Sequence, residues 1–163
     1  MTTAFDDLLA DNERYAEARP GEPAGQAGRR LAVVTCMDPR LDPLRMLGLG
    51  AGDAVVLRNA GGRVTDDVLA ALTLARHLLG VDRILVVPHT KCRMAVPHPD
   101  ALHDAVREAG GPDTHALSFL TAADQALALH DDLARLRSSP YLEGAKIAGY
   151  IYDVATGRLT PGE

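Results

Sequence analysis

Cys36 and Cys92 are the whole thiol content of this 163-residue chain, and His89 stands three residues before the second of them. Two thiolates and an imidazole suit Zn²⁺, and three such ligands leave a fourth tetrahedral position. Two cysteines and a histidine with an open place make a catalytic zinc pattern rather than a closed structural one. Spacing alone leaves other readings standing. Both thiols could be buried as small apolar side chains, with His89 a hydrogen-bonded core histidine. Alternatively, Cys36 could be a nucleophile activated by His89, working without metal. A phosphatase-type loop is not supported, because Asp42 stands where the arginine after Cys36-x5 would be.

Two further groups carry polar chemistry. Asp38 and Arg40 follow Cys36 closely, so the Asp38 carboxylate has two possible partners, the metal or the Arg40 guanidinium. Ligation by Asp38 fills the fourth position; pairing with Arg40 frees it. A merely solvated Asp–Arg pair, worth about 0–1 kcal/mol, is the plain alternative. The run Arg58-Asn59-Ala60-Gly61-Gly62 is the second group, and Asn59, Ala60, Gly61 and Gly62 are expected to shape a substrate pocket. His77, His98, His103, His115 and His130 can carry protons by chemistry, though nothing in the sequence places them at the site.

These residues need elements to hold them. Leu31 to Thr35, Ala54 to Leu57 and Arg83 to Pro88 read as buried strands, and Ala145 to Val154 as a last strand before a turn at Ala155 to Arg158. Asp42-Pro43 starts a short helix. Thr65 caps another, with Asp66 and Asp67 in its first turn and Gly80 at its end. Helices are also expected at Asp6 to Ala18, Asp100 to Glu108 and Ser118 to Arg137. Alternating strands and helices predict an α/β fold, a mostly parallel central sheet flanked by helices. Cys36, Arg58 to Gly62 and His89 to Cys92 each follow a strand, which brings them to the carboxyl rim of the sheet.

Length and composition fit a single domain over residues 1–163. Residues 1–30 form an N-terminal helix and a linker arm, Arg19 to Arg30, rich in Pro and Gly. The net charge of −5 argues against nucleic acid as the main partner. No apolar run is long enough to cross a membrane, and the N-terminus does not read as a secretory signal, so a cytoplasmic location is expected.

The joint occurrence of CMDPR at Cys36 to Arg40, RNAGG at Arg58 to Gly62, TDDVLAAL at Thr65 to Leu72 and HTKCRM at His89 to Met94 resembles the β-class carbonic anhydrases, in their short bacterial branch. AKIAGYIYDVATGRL resembles that family's last core strand and hairpin. The resemblance implies one Zn²⁺ per chain bound by Cys36, His89 and Cys92, with Asp38 and Arg40 as a dyad in which Asp38 can be the fourth ligand of a closed form. It implies reversible hydration of CO2 to bicarbonate and a proton by a zinc-bound hydroxide, in a homodimer or homotetramer whose N-terminal helix packs on a partner subunit. Relatives that hydrolyse carbonyl sulfide or carbon disulfide, and a catalytically silent zinc-binding regulatory domain, are the alternatives on the same scaffold. The family's third motif usually reads H-[ST]-D-C-G. Here Lys91 replaces the acid and Arg93 the glycine, which predicts a local backbone rearrangement at Arg93 and a site more favourable to anions.

Overall fold

The computed structural model describes residues 4–19, 21–22 and 25–162, so Pro20, Pro23 and Ala24 of the expected linker lie outside the described residues. In chain order the helices are α1 (Asp6–Ala18), α2 (Pro43–Met46), α3 (Asp66–Leu78), α4 (Asp100–Glu108) and α5 (Gln125–Ser138). The strands are β1 (Leu31–Cys36), β2 (Ala54–Asn59), β3 (Arg83–Val87), β4 (Lys146–Tyr152) and β5 (Leu159–Pro161). They form one sheet in the order β2-β1-β3-β4-β5. The first three pairings are parallel, and the β4–β5 hairpin is antiparallel. The mostly parallel α/β sheet expected from the sequence is the observed one.

Local chemistry sets the helix starts. Asp42 accepts the Arg45 amide at 3.2 Å ahead of Pro43, and Thr65 accepts the Val68 amide at 3.4 Å. The helix expected over Ser118 to Arg137 begins later, at Gln125. Asp124 caps it by accepting the Ala126 and Leu127 amides, both at 3.0 Å. The segment before it is held elsewhere: the Ala122 amide donates to the Met94 carbonyl at 3.0 Å. A long-range bond thus outweighs the helical propensity of that stretch.

The two faces of the sheet differ. On one, Ala32, Val34, Ile84 and Val86 pack against Val68, Leu72 and Ala75 of α3 and Leu129, Leu133 and Leu136 of α5. Gly149 permits this approach, because a Cβ there would stand 2.7 Å from the Leu133 side chain. Burying each such leucine contributes roughly 1.5–3 kcal/mol. The other face carries an open groove lined by Leu31, Leu47, Leu49, Leu85 and Ile147. α1 buries none of its residues, and its Leu8, Leu9 and Tyr15 are all more than half exposed. Among the described residues no helix is long and apolar enough to cross a membrane.

Candidate metal centre

Parallel pairing decides where the polar groups meet. Thr35 lies beside both Arg58 and Val87, and Cys36 beside Asn59, so three strands end together at one rim. His89 continues β3 and bridges to Tyr152 of β4. Thr90 fixes that exit: its amide donates to the Tyr152 carbonyl at 2.9 Å, and its hydroxyl accepts the Val154 amide at 3.1 Å. The end of β4 therefore holds His89 in place.

Cys36, His89 and Cys92 are all buried, and their ligand atoms lie within 4.8 Å of one another. The two sulfurs are 3.8 Å apart, and both thiols are free. His89 Nδ1 lies 2.9 Å from the Thr90 carbonyl, which can only accept, so that nitrogen carries the proton. Nε2 is left with its lone pair. It is buried and has no hydrogen-bond partner, an arrangement that costs free energy unless something occupies the cluster. Burial lowers the His89 pKa and keeps the ring neutral, as ligation requires. Burial also pushes the Cys92 thiol up to about 11, so a metal must displace its proton. Soft sulfur donors, a neutral imidazole and an orphaned Nε2 together fit Zn²⁺.

Asp38 stands at the open side of this cluster, with Oδ2 3.8 Å from His89 Nε2. Its carboxylate is engaged by Arg40, which donates Nε to Oδ1 at 2.9 Å, Nη2 to Oδ2 at 2.7 Å and its own amide to Oδ1 at 3.0 Å. Of the two partners open to Asp38, the structure shows Arg40. The Arg40 side-chain hydrogen bonds hold the Asp38 carboxyl well below the usual carboxylate range. Arg40 is anchored in turn, donating Nη2 to the Lys91 carbonyl at 3.0 Å.

The loop carrying Cys36 and Asp38 is held by a residue to which sequence reasoning assigned no role. Arg58 donates Nε to the Cys36 carbonyl at 3.0 Å and Nη2 to the Asp38 carbonyl at 2.7 Å. Arg63 is a second such residue. It pairs with Asp132 at 2.7 Å and donates to the Thr121 carbonyl, while its backbone exchanges two bonds with the Asn59 amide side chain. Arg58 stands in the RNAGG run, which does not reveal its carbonyl partners; no local signal links Arg63 to Asp132, 69 residues away.

A cavity of about 430 Å³ opens at the cluster, lined by Cys36, Met37, Asp38, Pro39, Cys92, Arg93 and Met94. The turn expected to shape it lies behind rather than in it. Ala60 lines an adjoining groove, and Asn59 bonds Arg63. Gly62, at φ +67°, backs onto β1, where a Cβ would come within 2.9 Å of the Cys36 nitrogen. None of the five other histidines lines the cavity; His103, for instance, bonds Thr114 and stacks on His115. Of the two departures, Lys91 takes the left-handed conformation at φ +55° and Arg93 does not.

Comparison with known proteins places this geometry. Residues 31–135 match the family model described as carbonic anhydrase. Beta-carbonic anhydrase 1 of Mycobacterium tuberculosis is 36% identical over 160 residues, covering 96% of each chain. The chain belongs to the β-class carbonic anhydrase family. Its structure superposes on the crystal structure of carbonic anhydrase from Streptococcus mutans with a TM-score of 0.89 at 35% identity, covering 100% of this chain and 99% of that one. Carbon disulfide hydrolase of Acidithiobacillus thiooxidans is also similar, 32% identical over 153 residues, covering 82% of this chain and 77% of that one. With Lys91 and Arg93 in place, the chain keeps the fold of the Streptococcus mutans carbonic anhydrase.

Proposed function

We infer that this chain is an enzyme that catalyses CO2 + H2O ⇌ HCO3⁻ + H⁺ with one zinc ion held by Cys36, His89 and Cys92. The observation that carries the reading is the buried triad with His89 Nε2 aimed into it and left without a partner. Zinc bound there supplies Lewis acidity, lowering the pKa of a water molecule from about 15.7 to about 7. The rest of the work belongs to the chain. Arg40 keeps Asp38 ionised and turned as an acceptor at the open side of the cluster, so Asp38 orients the attacking oxygen through its proton. Arg58 fixes the loop that sets the distance between Cys36 and Asp38. Met37, Pro39 and Met94 present apolar surface suited to an uncharged gas.

The engagement of Asp38 by Arg40 favours a working enzyme over a silent zinc-binding domain, which needs Asp38 as permanent fourth ligand. The exposed apolar residues of α1 and the open sheet face support a homodimer or homotetramer in which the 1–30 arm covers a partner. Two free thiols 3.8 Å apart suit a reducing compartment, and we place the protein in the cytoplasm. Stopped-flow CO2 hydration on protein of measured zinc content, with carbon disulfide and carbonyl sulfide assayed on the same sample, tests the function. Turnover of CO2 that scales with zinc supports it. Zinc-loaded protein that turns over only the sulfur gases would replace CO2 as the substrate.

A further inference from the structure

The cations around the site are not equivalent. Arg40 is committed to Asp38 and the Lys91 carbonyl, and Arg58 to the carbonyls of Cys36 and Asp38. Arg63 is committed to Asp132. Arg93 lines the site cavity itself, and among the described residues no hydrogen bond or ion pair engages its guanidinium. Arg93 also lines a second, apolar groove of about 450 Å³ formed with Met37, Met94, Leu102, Val106 and Phe119. Arg93 is thus a free charge between a reaction cavity and an apolar wall. An apolar wall takes water away from one side of a charge and strengthens its pull on an anion on the other. Asp38, the one acid lining the cavity, cannot neutralise it, because both carboxylate oxygens already accept from Arg40.

Resting on the assignment of CO2 hydration above, we propose that Arg93 is the residue that holds bicarbonate in the site. Carbon dioxide carries no charge and is indifferent to the guanidinium. Bicarbonate carries one negative charge, and its planar oxygens match a guanidinium edge. Lys91, exposed and likewise without a partner, adds a cation at the rim and steers the anion inward over a distance set by salt. The consequence is a specificity for one side of the reaction. Arg93 deepens the bound state of the anion, so bicarbonate saturates the enzyme at lower concentration and leaves more slowly. The overall equilibrium ties kcat/KM in the two directions, so Arg93 cannot favour one direction in that ratio. Its signature lies in KM and Kd for the anion.

The test measures bicarbonate binding calorimetrically on zinc-loaded wild type, Arg93→Gly, Arg93→Lys and Lys91→Ala, at low and high ionic strength. Zinc content and melting temperature confirm that each variant is folded. Arg93→Gly weakens bicarbonate by about three- to tenfold at low salt, Arg93→Lys by less, and Lys91→Ala least. Added salt draws the variants toward one value. KM for bicarbonate in the dehydration direction rises in parallel with Kd for Arg93→Gly. A bicarbonate Kd within twofold of wild type in folded, zinc-loaded Arg93→Gly overturns the proposal. That result leaves CO2 hydration intact, whereas zinc-loaded wild type with no CO2 turnover defeats the assignment of function instead.

Discussion

The carboxyl rim of the sheet and the open sheet face opposite α3 and α5 are built in contrasting ways. At the rim, a single chain supplies three candidate ligand atoms, and hydrogen bonds donated by Arg40, Arg58 and the Thr90 amide hold the segments that carry them. On the open face, Leu31, Leu47 and Leu85 line an uncovered groove, and the apolar residues of α1 cover nothing. We propose that the rim takes a metal and the open face a second chain, so that chemistry and assembly fall to different parts of one small domain.

The largest expected effect falls on the rim. Cys36→Ala removes one of three ligands and should abolish zinc binding and turnover together, as read by metal analysis and CO2 hydration; full activity would refute the whole site. Asp38→Ala should separate the two. Zinc stays, and turnover falls by about 10²-fold, the scale of a lost positioned proton acceptor. Undiminished catalysis would remove Asp38 from the mechanism. These variants should leave the oligomer unchanged by sedimentation, because neither residue touches the open face.

Leu85→Asp probes the opposite region. Leu85 lines the open groove, whereas its neighbours Ile84 and Val86 face the closed core. The charge should release single chains in sedimentation while circular dichroism stays close to wild type. Chains that remain fully assembled would show that this face is not the contact. Gly62→Ala has a smaller effect that reaches the rim through the backbone. The left-handed φ of +67° and a Cβ 2.9 Å from the Cys36 nitrogen should cost about 1–3 kcal/mol in urea unfolding.

The same contrast governs what could be read from the sequence. The rim was legible because its residues sit directly after apolar runs, and parallel pairing gathers strand ends automatically. Cys36, His89 and Cys92 needed no knowledge of loop geometry to be placed together. The roles of Arg58 and Arg63 were not legible, since their partners are backbone carbonyls and an acid 69 residues distant. The start of α5 was misplaced for a related reason: the Ala122 amide bonds the Met94 carbonyl, a contact no local pattern announces. The missing glycine at Arg93 pointed to a local backbone rearrangement there, yet the left-handed residue is Lys91, where the chain turns between His89 and Cys92.

The subtlest expected difference between the regions is in pH. The rim holds two titrating groups that burial perturbs with opposite signs. Burial raises the Cys92 thiol from 9.0 to about 11. Its contribution to the stability of metal-free protein is therefore present below pH 9 and lost as pH climbs through about 11, because the unfolded thiol ionises first. Burial lowers His89, so below its ordinary value of 6.5 the unfolded chain takes up a proton that the folded ring resists, and stability is lost as the pH drops. Metal-free protein should thus be most stable between these limits. Bound zinc needs the thiolate, so its added stabilisation should grow with pH across the range where the thiol still holds its proton. Urea midpoints from pH 5 to 11, with and without zinc, read both effects, and Cys92→Ala should flatten the alkaline slope of the metal-free protein. A slope that survives in Cys92→Ala would assign it to groups other than Cys92, the neighbouring Cys36 thiol among them.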